Sequence, residues 1–490
     1  MRELVSVPHR HRVDVLTPED RELLHRRALD VLERVGVTTT NQGLLRLLQE
    51  HGQSVDLEAG RVRFDPAFVQ ERLAMAAREV TLTAREDGLD LVLDGSRGFL
   101  STDGCPGDLL DLETGKRRPG TKADLRELTR LADAIPQISF LWQCVSANDT
   151  PVPVRPIHET HAQLTSTTKH IQQMTAVDGF NATGIVEMAR AIAGDADAFR
   201  ARPFLSNFQC VISPLHWDEG PVDAMRVFAE AGVPMGLCSM PLAAASAPVT
   251  LAGTLAMVHA EILSGIAILQ TLVPGATAFY VGYPTTIDLQ TGAMNPVWSY
   301  EESLMAMAAN EMGRHLGMAT GSTCMSAGSK RTDWQAGAQT MLISISDALS
   351  PADLLSGAGG LHGNNVFSHA SLLLDCEVFD MAARWAEGLR ITDDDIAVDV
   401  IEAVGPGGHF LDQEHTLTQM RTIWRESLMD RRSWDAWETE GRPDPPVDAA
   451  TQRAKELLAE HGPEPLADDL AAELDRIVGS FEAQAVQRAG

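Results

Sequence analysis

The chain has 490 residues, 44% of them hydrophobic, which is enough to bury a large core in two or three domains or in one barrel with extensions. Its 40 basic and 68 acidic side chains give a formal net charge of −28. Nucleic acids and anionic membranes would repel such a surface, so neither is expected as a partner. A small cationic ligand is favoured instead, although an acidic surface equally serves solubility.

The first residues and the pattern of cysteines indicate a cytoplasmic location. The first residues, MRELVSVPHRHRVDV, contain no apolar stretch of signal-peptide length, and no later run approaches the length of a membrane-spanning helix. The six cysteines lie far apart without a CxxC pair, so they predict neither a disulfide framework nor a zinc knuckle. We therefore expect reduced thiols.

The N-terminal part combines helices with short strands. Thr17 can cap a helix that starts at Pro18, and Gly36 ends it. A second helix begins at Asp65, and strand-like runs follow, including a hairpin in FLSTDGCPGDLLDLETGKRRP. These signals predict an N-terminal α+β extension over residues 1–135.

Short apolar runs alternate with helical patterns through the middle of the chain. Seven runs start roughly 30 to 45 residues apart, as strands of a β/α repeat do. They are ISFLWQCVS, HIQQMTAV, FLSNFQCVIS, VPMGLCSMP, TAFYVGYP, MATGSTCMS and DLLSGAGGL. With an eighth strand near residues 371–375, they predict an α/β fold, a TIM-type (β/α)₈ barrel over residues 136–380. An open doubly wound sheet is the alternative, although no GxGxxG turn follows the first strand.

The last part of the chain returns to helical patterns. Pro-rich and charged stretches interrupt them, namely GRPDPPVDAA and HGPEPLADD. Residues 381–490 are therefore predicted to form a C-terminal helical extension that wraps the barrel or serves assembly.

Aromatic side chains at the strand ends are the first candidates for a site, because barrel strands end at one common mouth. Aromatics make up only 5% of the chain, and its three tyrosines, Tyr280, Tyr283 and Tyr300, surround the fifth run. A quaternary ammonium cannot donate a hydrogen bond, so a pocket recognises it through ring faces and carboxylates. Trp142, Tyr283 and Trp298 could form such a wall, or could be core aromatics.

Four cysteines are candidates for a metal site. Cys144, Cys210, Cys238 and Cys324 fall in predicted strands and could converge on zinc. Because no His-x-Cys or His-x-His pair lies beside these cysteines in the sequence, we expect ordinary buried cysteines and no metal.

Three motifs resemble the trimethylamine methyltransferase family. They are DLETGKRRPGT before ADLRELTRLADAI, GSKRTDWQAG at residues 328–337, and EAVGPGGHFLDQEHT near the C-terminus. The resemblance implies a homo-oligomeric barrel enzyme that moves a methyl group from an amine to cob(I)alamin, a corrinoid held by a separate corrinoid protein, with no tightly bound cofactor of its own. Archaeal members that act on trimethylamine carry pyrrolysine, which would fall in or near residues 323–333. This chain has only ordinary residues there, so a betaine such as glycine betaine is the expected substrate.

The chemistry of a quaternary amine agrees with this resemblance, because a neutral tertiary amine leaves without help from a general acid. The enzyme's task is then to hold one methyl group toward the cobalt. On this hypothesis Trp142 and Tyr283 face the ammonium, and Gln209, His362 or Asn364 holds the polar tail of the substrate. Glu377 or Asp375 contributes negative charge. The residues expected to contact the corrinoid are Gly407, Gly408 and His409. A helix-start carboxylate or a salt bridge is the alternative for Glu377, and tight turns are the alternative for the glycine-rich motifs.

Two other functions remain open from the sequence. One is a hydrolase or lyase on the same barrel, which would need a metal or a nucleophile with its base. The other is a non-catalytic protein that binds quaternary amines.

Overall fold

Eight parallel strands form a closed barrel in the computed structural model, which describes residues 3–292, 299–441 and 445–489. In chain order the strands are β1 (Val7–Pro8), β2 (Val37–Thr39), β3 (Ser54–Asp56), β4 (Arg61–Arg63), β5 (Thr81–Leu82), β6 (Leu91–Val92), β7 (Arg97–Thr102), β8 (Asp108–Leu110), β9 (Arg117–Pro119), β10 (Ile138–Leu141), β11 (His170–Gln173), β12 (Leu205–Cys210), β13 (His216–Trp217), β14 (Met235–Ser239), β15 (Leu242–Ala243), β16 (Ala278–Gly282), β17 (Thr285–Thr286), β18 (Thr320–Cys324), β19 (Leu354–Ala358), β20 (Gly360–Leu361) and β21 (Val366–Phe367). The barrel order is β7, β10, β11, β12, β14, β16, β18, β19, and β19 pairs with β7 to close the ring. The predicted TIM-type barrel is confirmed.

Helices follow the barrel strands and surround them. In chain order they are α1 (Pro18–Arg34), α2 (Gln42–Glu50), α3 (Pro66–Met75), α4 (Lys122–Ala134), α5 (Arg155–Leu164), α6 (Gly179–Ala193), α7 (Ala196–Ala201), α8 (Glu219–Glu230), α9 (Leu251–Leu272), α10 (Tyr300–His315), α11 (Trp334–Leu349), α12 (His369–Glu387), α13 (Asp393–Ile396), α14 (Val398–Val404), α15 (Glu414–Gln419), α16 (Trp434–Thr439), α17 (Pro445–Glu460) and α18 (Asp468–Ala489). Thr17 caps α1 as predicted, by accepting a hydrogen bond from the backbone N–H of Asp20. Gly36 follows with φ +76°, and a Cβ there would overlap the Val62 carbonyl.

The first barrel strand is β7, not a strand near residues 371–375. β7 lies inside the region predicted as the N-terminal extension, so the barrel begins before residue 136. Residues 371–375 instead belong to α12, which Ser368 caps. The apolar run SLLLD was misread because a fully buried helix and a buried strand give the same short run, and only the continuing apolar residues to Phe379 distinguish them.

One end of the barrel is closed by the N-terminal section. The short β5–β6 hairpin places Leu82 and Leu91 in one buried cluster with Phe99 and Phe140 of the barrel interior. The backbone N–H of Arg85 donates to the carbonyl of Thr168, just before β11, so the hairpin covers the amino ends of the strands. The open end is therefore the mouth at the carboxyl ends.

Helix α9 is the one helix in the described residues that is long and apolar enough to cross a membrane. Its mean hydropathy reaches 1.6 over a window of which 72% is buried inside the protein. The expectation that no run approaches this length is thus wrong. The reason is that α9 is a core helix, packed against β14 and β16 on one side and against α1 and α3 on the other.

The C-terminal helices wrap the outside of the barrel. α17 packs on α12 and α4, and α18 packs on α5 and α6. Two histidine–carboxylate contacts join α18 to α5: Nε2 of His158 lies 3.0 Å from Oε1 of Glu482, and Nε2 of His161 lies 3.2 Å from Oδ1 of Asp475. Between α12 and α17 the chain forms an exposed segment, residues 389–426, which we call the arm.

Candidate active site at the barrel mouth

Three aromatic rings meet inside the barrel near its mouth. Trp142 directly follows β10, Phe208 lies in β12, and Tyr283 directly follows β16. The ring centroids are 5.7 Å apart for Trp142 and Phe208, 6.1 Å for Trp142 and Tyr283, and 6.0 Å for Phe208 and Tyr283. We call this group the aromatic triangle, and it brings together two of the predicted substrate-binding residues.

Hydrogen bonds fix two of the three rings of the triangle. The indole N–H of Trp142 donates to Oε1 of Gln172 at 2.6 Å, and the Tyr283 hydroxyl is 3.1 Å from the Ser356 hydroxyl. The loop after β7 packs directly on the indole, since a Cβ on Gly104 would lie 2.6 Å from Trp142. The rings are therefore held before any ligand arrives, which lowers the entropic cost of binding.

A strained polar turn lies on the same rim, between β20 and β21. His362, Gly363 and Asn364 all have positive φ, at 54°, 59° and 65°. Ser326 holds this turn, because its hydroxyl accepts from the backbone N–H of Asn364 at 3.1 Å, and the carbonyl of Ser329 accepts from that of His362 at 2.8 Å. Left-handed backbone at non-glycine residues persists only where the surroundings enforce it, and it is frequent at functional sites.

Two cations act on the His362 ring. Burial lowers the pKa of His362 most, and the positive charges of Lys330 and then Arg117 lower it further. Lys330 belongs to the loop after β18, and Arg117 begins β9 in the neighbouring hairpin. Two positive charges thus reach the polar turn of a strongly acidic protein, and one of them, Arg117, also pairs with Asp108.

Buried acids lie behind the rim. Asp375 accepts from the backbone N–H of Gly359 at 2.8 Å, and burial raises its pKa to about 7. Asp103 directly follows β7 and is so close to the glycine loop that a Cβ on Gly360 would overlap its carboxylate. Glu159 is buried with its Oε1 accepting from the backbone N–H of Ala147 at 3.0 Å, and burial raises its pKa.

Several predicted site residues are not part of this constellation. Glu377 accepts hydrogen bonds from the backbone N–H groups of Ser427 and Leu428, beside the loop that enters β10 at the closed end. The Gln209 amide is buried and donates to the carbonyl of Ala176 at 2.8 Å. Gly407, Gly408 and His409 lie in the arm, where His409 is exposed and 3.7 Å from Asp412. Trp298 lies outside the described residues.

The thiols of β12 and β14 form a pair. Cys210 and Cys238 are register partners in the parallel ladder and join the same interior cluster. Burial raises the pKa of Cys238, and the neighbouring Cys210 thiol raises it further. Among the described residues no group of three or more His, Cys, Asp or Glu side chains could hold a metal ion. The Cys324 side chain lies outside the described part of the chain.

Phe208, Asp103 and Glu159 were missed from the sequence. Phe208 could have been found by alternation, because FLSNFQC places Ser206, Phe208 and Cys210 on one face of β12. Asp103 was missed because β7 was not recognised as a barrel strand. Glu159 lies inside α5 and carries no local signal.

Comparison with known proteins identifies the family. The sequence model described as trimethylamine methyltransferase (MTTB) matches residues 2–484. The chain belongs to the trimethylamine methyltransferase family. The predicted membership is confirmed, and with it the prediction that the protein is an enzyme of the methyltransferase class.

Two curated relatives from Desulfitobacterium hafniense match almost end to end. The trimethylamine methyltransferase MttB of strain DSM 10664 / DCB-2 is 32% identical over 470 residues, covering 94% of this chain and 93% of the relative. The glycine betaine methyltransferase of strain Y51 is 29% identical over 475 residues, covering 95% and 96%. The Methanosarcina barkeri monomethylamine methyltransferase (MtmB) structure aligns with a TM-score of 0.51 at 12% identity, over 91% of this chain and 88% of that one. That likeness shows the barrel fold.

Proposed function

We propose that this enzyme transfers a methyl group from a betaine, such as glycine betaine, to cob(I)alamin on a separate corrinoid protein. The aromatic triangle carries the proposal. A quaternary ammonium is recognised by ring faces rather than by hydrogen bonds, and three converging rings at a barrel mouth provide them. The family includes relatives named for both trimethylamine and glycine betaine, so the choice between them rests on this chain's own residues.

The substrate's positive end is assigned to the triangle. Trp142, Phe208 and Tyr283 are all at most 8% exposed, and a cation–ring contact gains strength where water is excluded. The buried carboxyl groups of Asp103 and Asp375 behind the rim add negative charge when they are ionised. A bound cation favours that ionised form.

The substrate's negative end is assigned to the polar turn. Lys330 and Arg117 act on His362, and the Asn364 backbone is fixed by Ser326, so a carboxylate would meet Lys330, an Arg117 that also pairs with Asp108, and the polar side chains of a rigid turn. Choline and trimethylamine have no group that uses these positive charges. A zwitterion with its charges a few bonds apart uses both halves of the site.

The chain's part in the transfer step is positioning. The corrinoid supplies the Co(I) nucleophile that accepts the methyl group. A neutral tertiary amine departs from the quaternary nitrogen, so no side chain has to donate a proton there. The triangle and the polar turn hold the substrate so that one methyl group points out of the mouth, and the amino end of the barrel is closed by the β5–β6 hairpin.

A reducing compartment suits this reaction. Cob(I)alamin is a strong reductant, and the five cysteines whose side chains are described are free thiols. We propose the cytoplasm as the place of the reaction.

The deciding experiment is anaerobic spectroscopy of cob(I)alamin mixed with the enzyme and single amines. The panel is trimethylamine, glycine betaine, proline betaine, carnitine and choline. We expect methylcobalamin to form with one or more of the carboxylated quaternary amines and not with trimethylamine or choline. Conversion with trimethylamine would refute the assignment of a betaine, and no conversion with any amine would refute methyl transfer from this class.

A charge variant tests the orientation of the substrate. Lys330→Gln should raise KM for the betaine a few-fold, as expected for an exposed charge pair worth ~0.5–1 kcal/mol, and leave inhibition by choline unchanged. Arg27→Gln is the matched control, because Arg27 is an exposed cation of α1 whose partner is Asp30. If both variants changed KM equally, the assignment of the substrate's carboxylate to the polar turn would be refuted.

A further inference from the structure

The arm, residues 389–426, has no core of its own. Among its residues only Ala397 is buried. Its helices α13, α14 and α15 have four, seven and six residues. Isolated helices shorter than about 12–15 residues are marginal in water, so these cannot hold their conformation unaided.

The arm exposes a large apolar surface. Its exposed large apolar side chains are Leu389, Ile391, Ile396, Val398, Ile401, Phe410, Leu411, Leu417, Met420 and Ile423. Leu389 is 89% and Leu411 is 87% exposed. Together these side chains present on the order of 1,000 Å², above the ~800 Å² that each partner buries in a standard stable interface.

Both ends of the arm are anchored at the closed end of the barrel. Gly388 follows α12 and lies against His11, close to the strand β1 that pairs with the start of β7. At the other end Glu377 binds the backbone N–H groups of Ser427 and Leu428. The mouth, where a corrinoid partner has to approach, is at the opposite end of the strands.

We propose that the arm is the self-association surface of this enzyme and packs against a second copy of the chain. A segment that cannot fold alone needs a lasting cover, and a second copy is available wherever the chain itself is made. On the proposed function, a corrinoid protein binds transiently at the mouth and so cannot cover the arm. An isologous contact would place the same apolar patch on both copies.

The arm is acidic, which makes its self-association depend on salt. The arm carries eight acidic and three basic side chains, so two arms repel each other electrostatically while their apolar side chains attract. Added salt screens that repulsion. Self-association should therefore strengthen between 50 mM and 500 mM salt, whereas binding of a basic partner to the arm would weaken.

The first test is the mass of the full chain in solution. We expect a multiple of 53.0 kDa at micromolar concentration by light scattering after gel filtration. The double variant Leu411→Asp/Ile423→Asp should run as a monomer. Val152→Asp is the matched control, a 70% exposed apolar residue before α5 on the mouth side, and should keep the parental mass. A monomeric parent, or a double variant that stays assembled, overturns the proposal.

A second variant covers the case in which the charged residues unfold the arm. Leu411→Cys should be joined to a second chain by a short bismaleimide, and Val152→Cys should not. Equal joining of both variants, or of neither, also overturns the proposal. Mass and cross-linking need no substrate and no corrinoid, so a failure of assembly is distinguishable from a failure of methyl transfer.

Discussion

The ring of Tyr283 offers the sharpest test of how the cation is recognised. Tyr283→Phe keeps the ring and loses the contact with the Ser356 hydroxyl, whereas Tyr283→Leu loses both. The difference between the two variants therefore isolates the ring face. A cation over a desolvated ring is worth roughly 1–2 kcal/mol, so Tyr283→Leu should bind glycine betaine roughly 5–30-fold more weakly than Tyr283→Phe.

The assay compares two ligands of the same shape. Glycine betaine carries a trimethylammonium group, and 3,3-dimethylbutanoate carries a neutral tert-butyl group in the same place with the same carboxylate. Titration calorimetry, with displacement titrations for weak binding, gives Kd for both ligands and both variants. The ring-face argument predicts that the betaine loses affinity while the neutral analogue changes less than about threefold, since it loses only apolar contact.

The reasoning would be refuted by parallel losses. If Tyr283→Leu weakened both ligands by the same factor, the ring would act through shape or packing rather than through charge. If neither ligand changed, the triangle would be a core cluster, as the sequence alternative allowed. Thermal unfolding of both variants guards against general damage, because Tyr283 packs at about 6 Å from Trp142 and Phe208.

Three further predictions concern the rim and the core. Burial raises the pKa of Asp375 to about 7, so the stability that its protonated form contributes is present below about pH 4 and is lost as pH rises to 7. The variant Asp375→Asn does not titrate, so urea unfolding should show its free energy of unfolding gaining up to about 4 kcal/mol over that of the parent across this pH range. Gly360→Ala should cost stability and at least tenfold in methyl transfer, because its Cβ would overlap the Asp103 carboxylate, whereas Gly337→Ala in α11 meets nothing within 4 Å and should cost neither. Lys169→Met should cost ~3 kcal/mol or more in urea unfolding, because the buried ammonium donates to three backbone carbonyls that would lose their donor; a variant as stable as the parent would show that these carbonyls find other partners.

Alternation of apolar runs with helical patterns was enough to predict the barrel, because each buried parallel strand leaves a short apolar run. The count of eight was right for the wrong reason. β7 carries the buried polar residues Ser101 and Thr102 and is followed by a true hairpin, β8–β9, so its run resembles a part of that hairpin. Buried polar residues shorten the apolar run of a barrel strand, so a search for apolar runs does not find such a strand.

The site was predictable where it depends on strand ends and unpredictable where it depends on neighbours. Trp142 and Tyr283 follow their strands directly, and all barrel strands end at one mouth, so their meeting follows from topology. Glu377 was predicted at the site, but a carboxylate in a helix accepts hydrogen bonds from whichever backbone N–H groups pack beside it. Here these groups belong to Ser427 and Leu428, some fifty positions along the chain. The hydrogen-bond partner of a buried acid depends on tertiary packing, which the local sequence does not show.

Net charge illustrates the same distinction between the whole chain and the site. A charge of −28 favours a cationic ligand, and a purely cationic amine would satisfy that argument. The polar turn is nevertheless flanked by Lys330 and Arg117, and both positive charges lower the pKa of His362 after the larger effect of burial. A ligand that uses the triangle alone would leave these cations facing a positive substrate, whereas a betaine pairs each end with the opposite charge. The arrangement therefore favours a zwitterion over either of its halves.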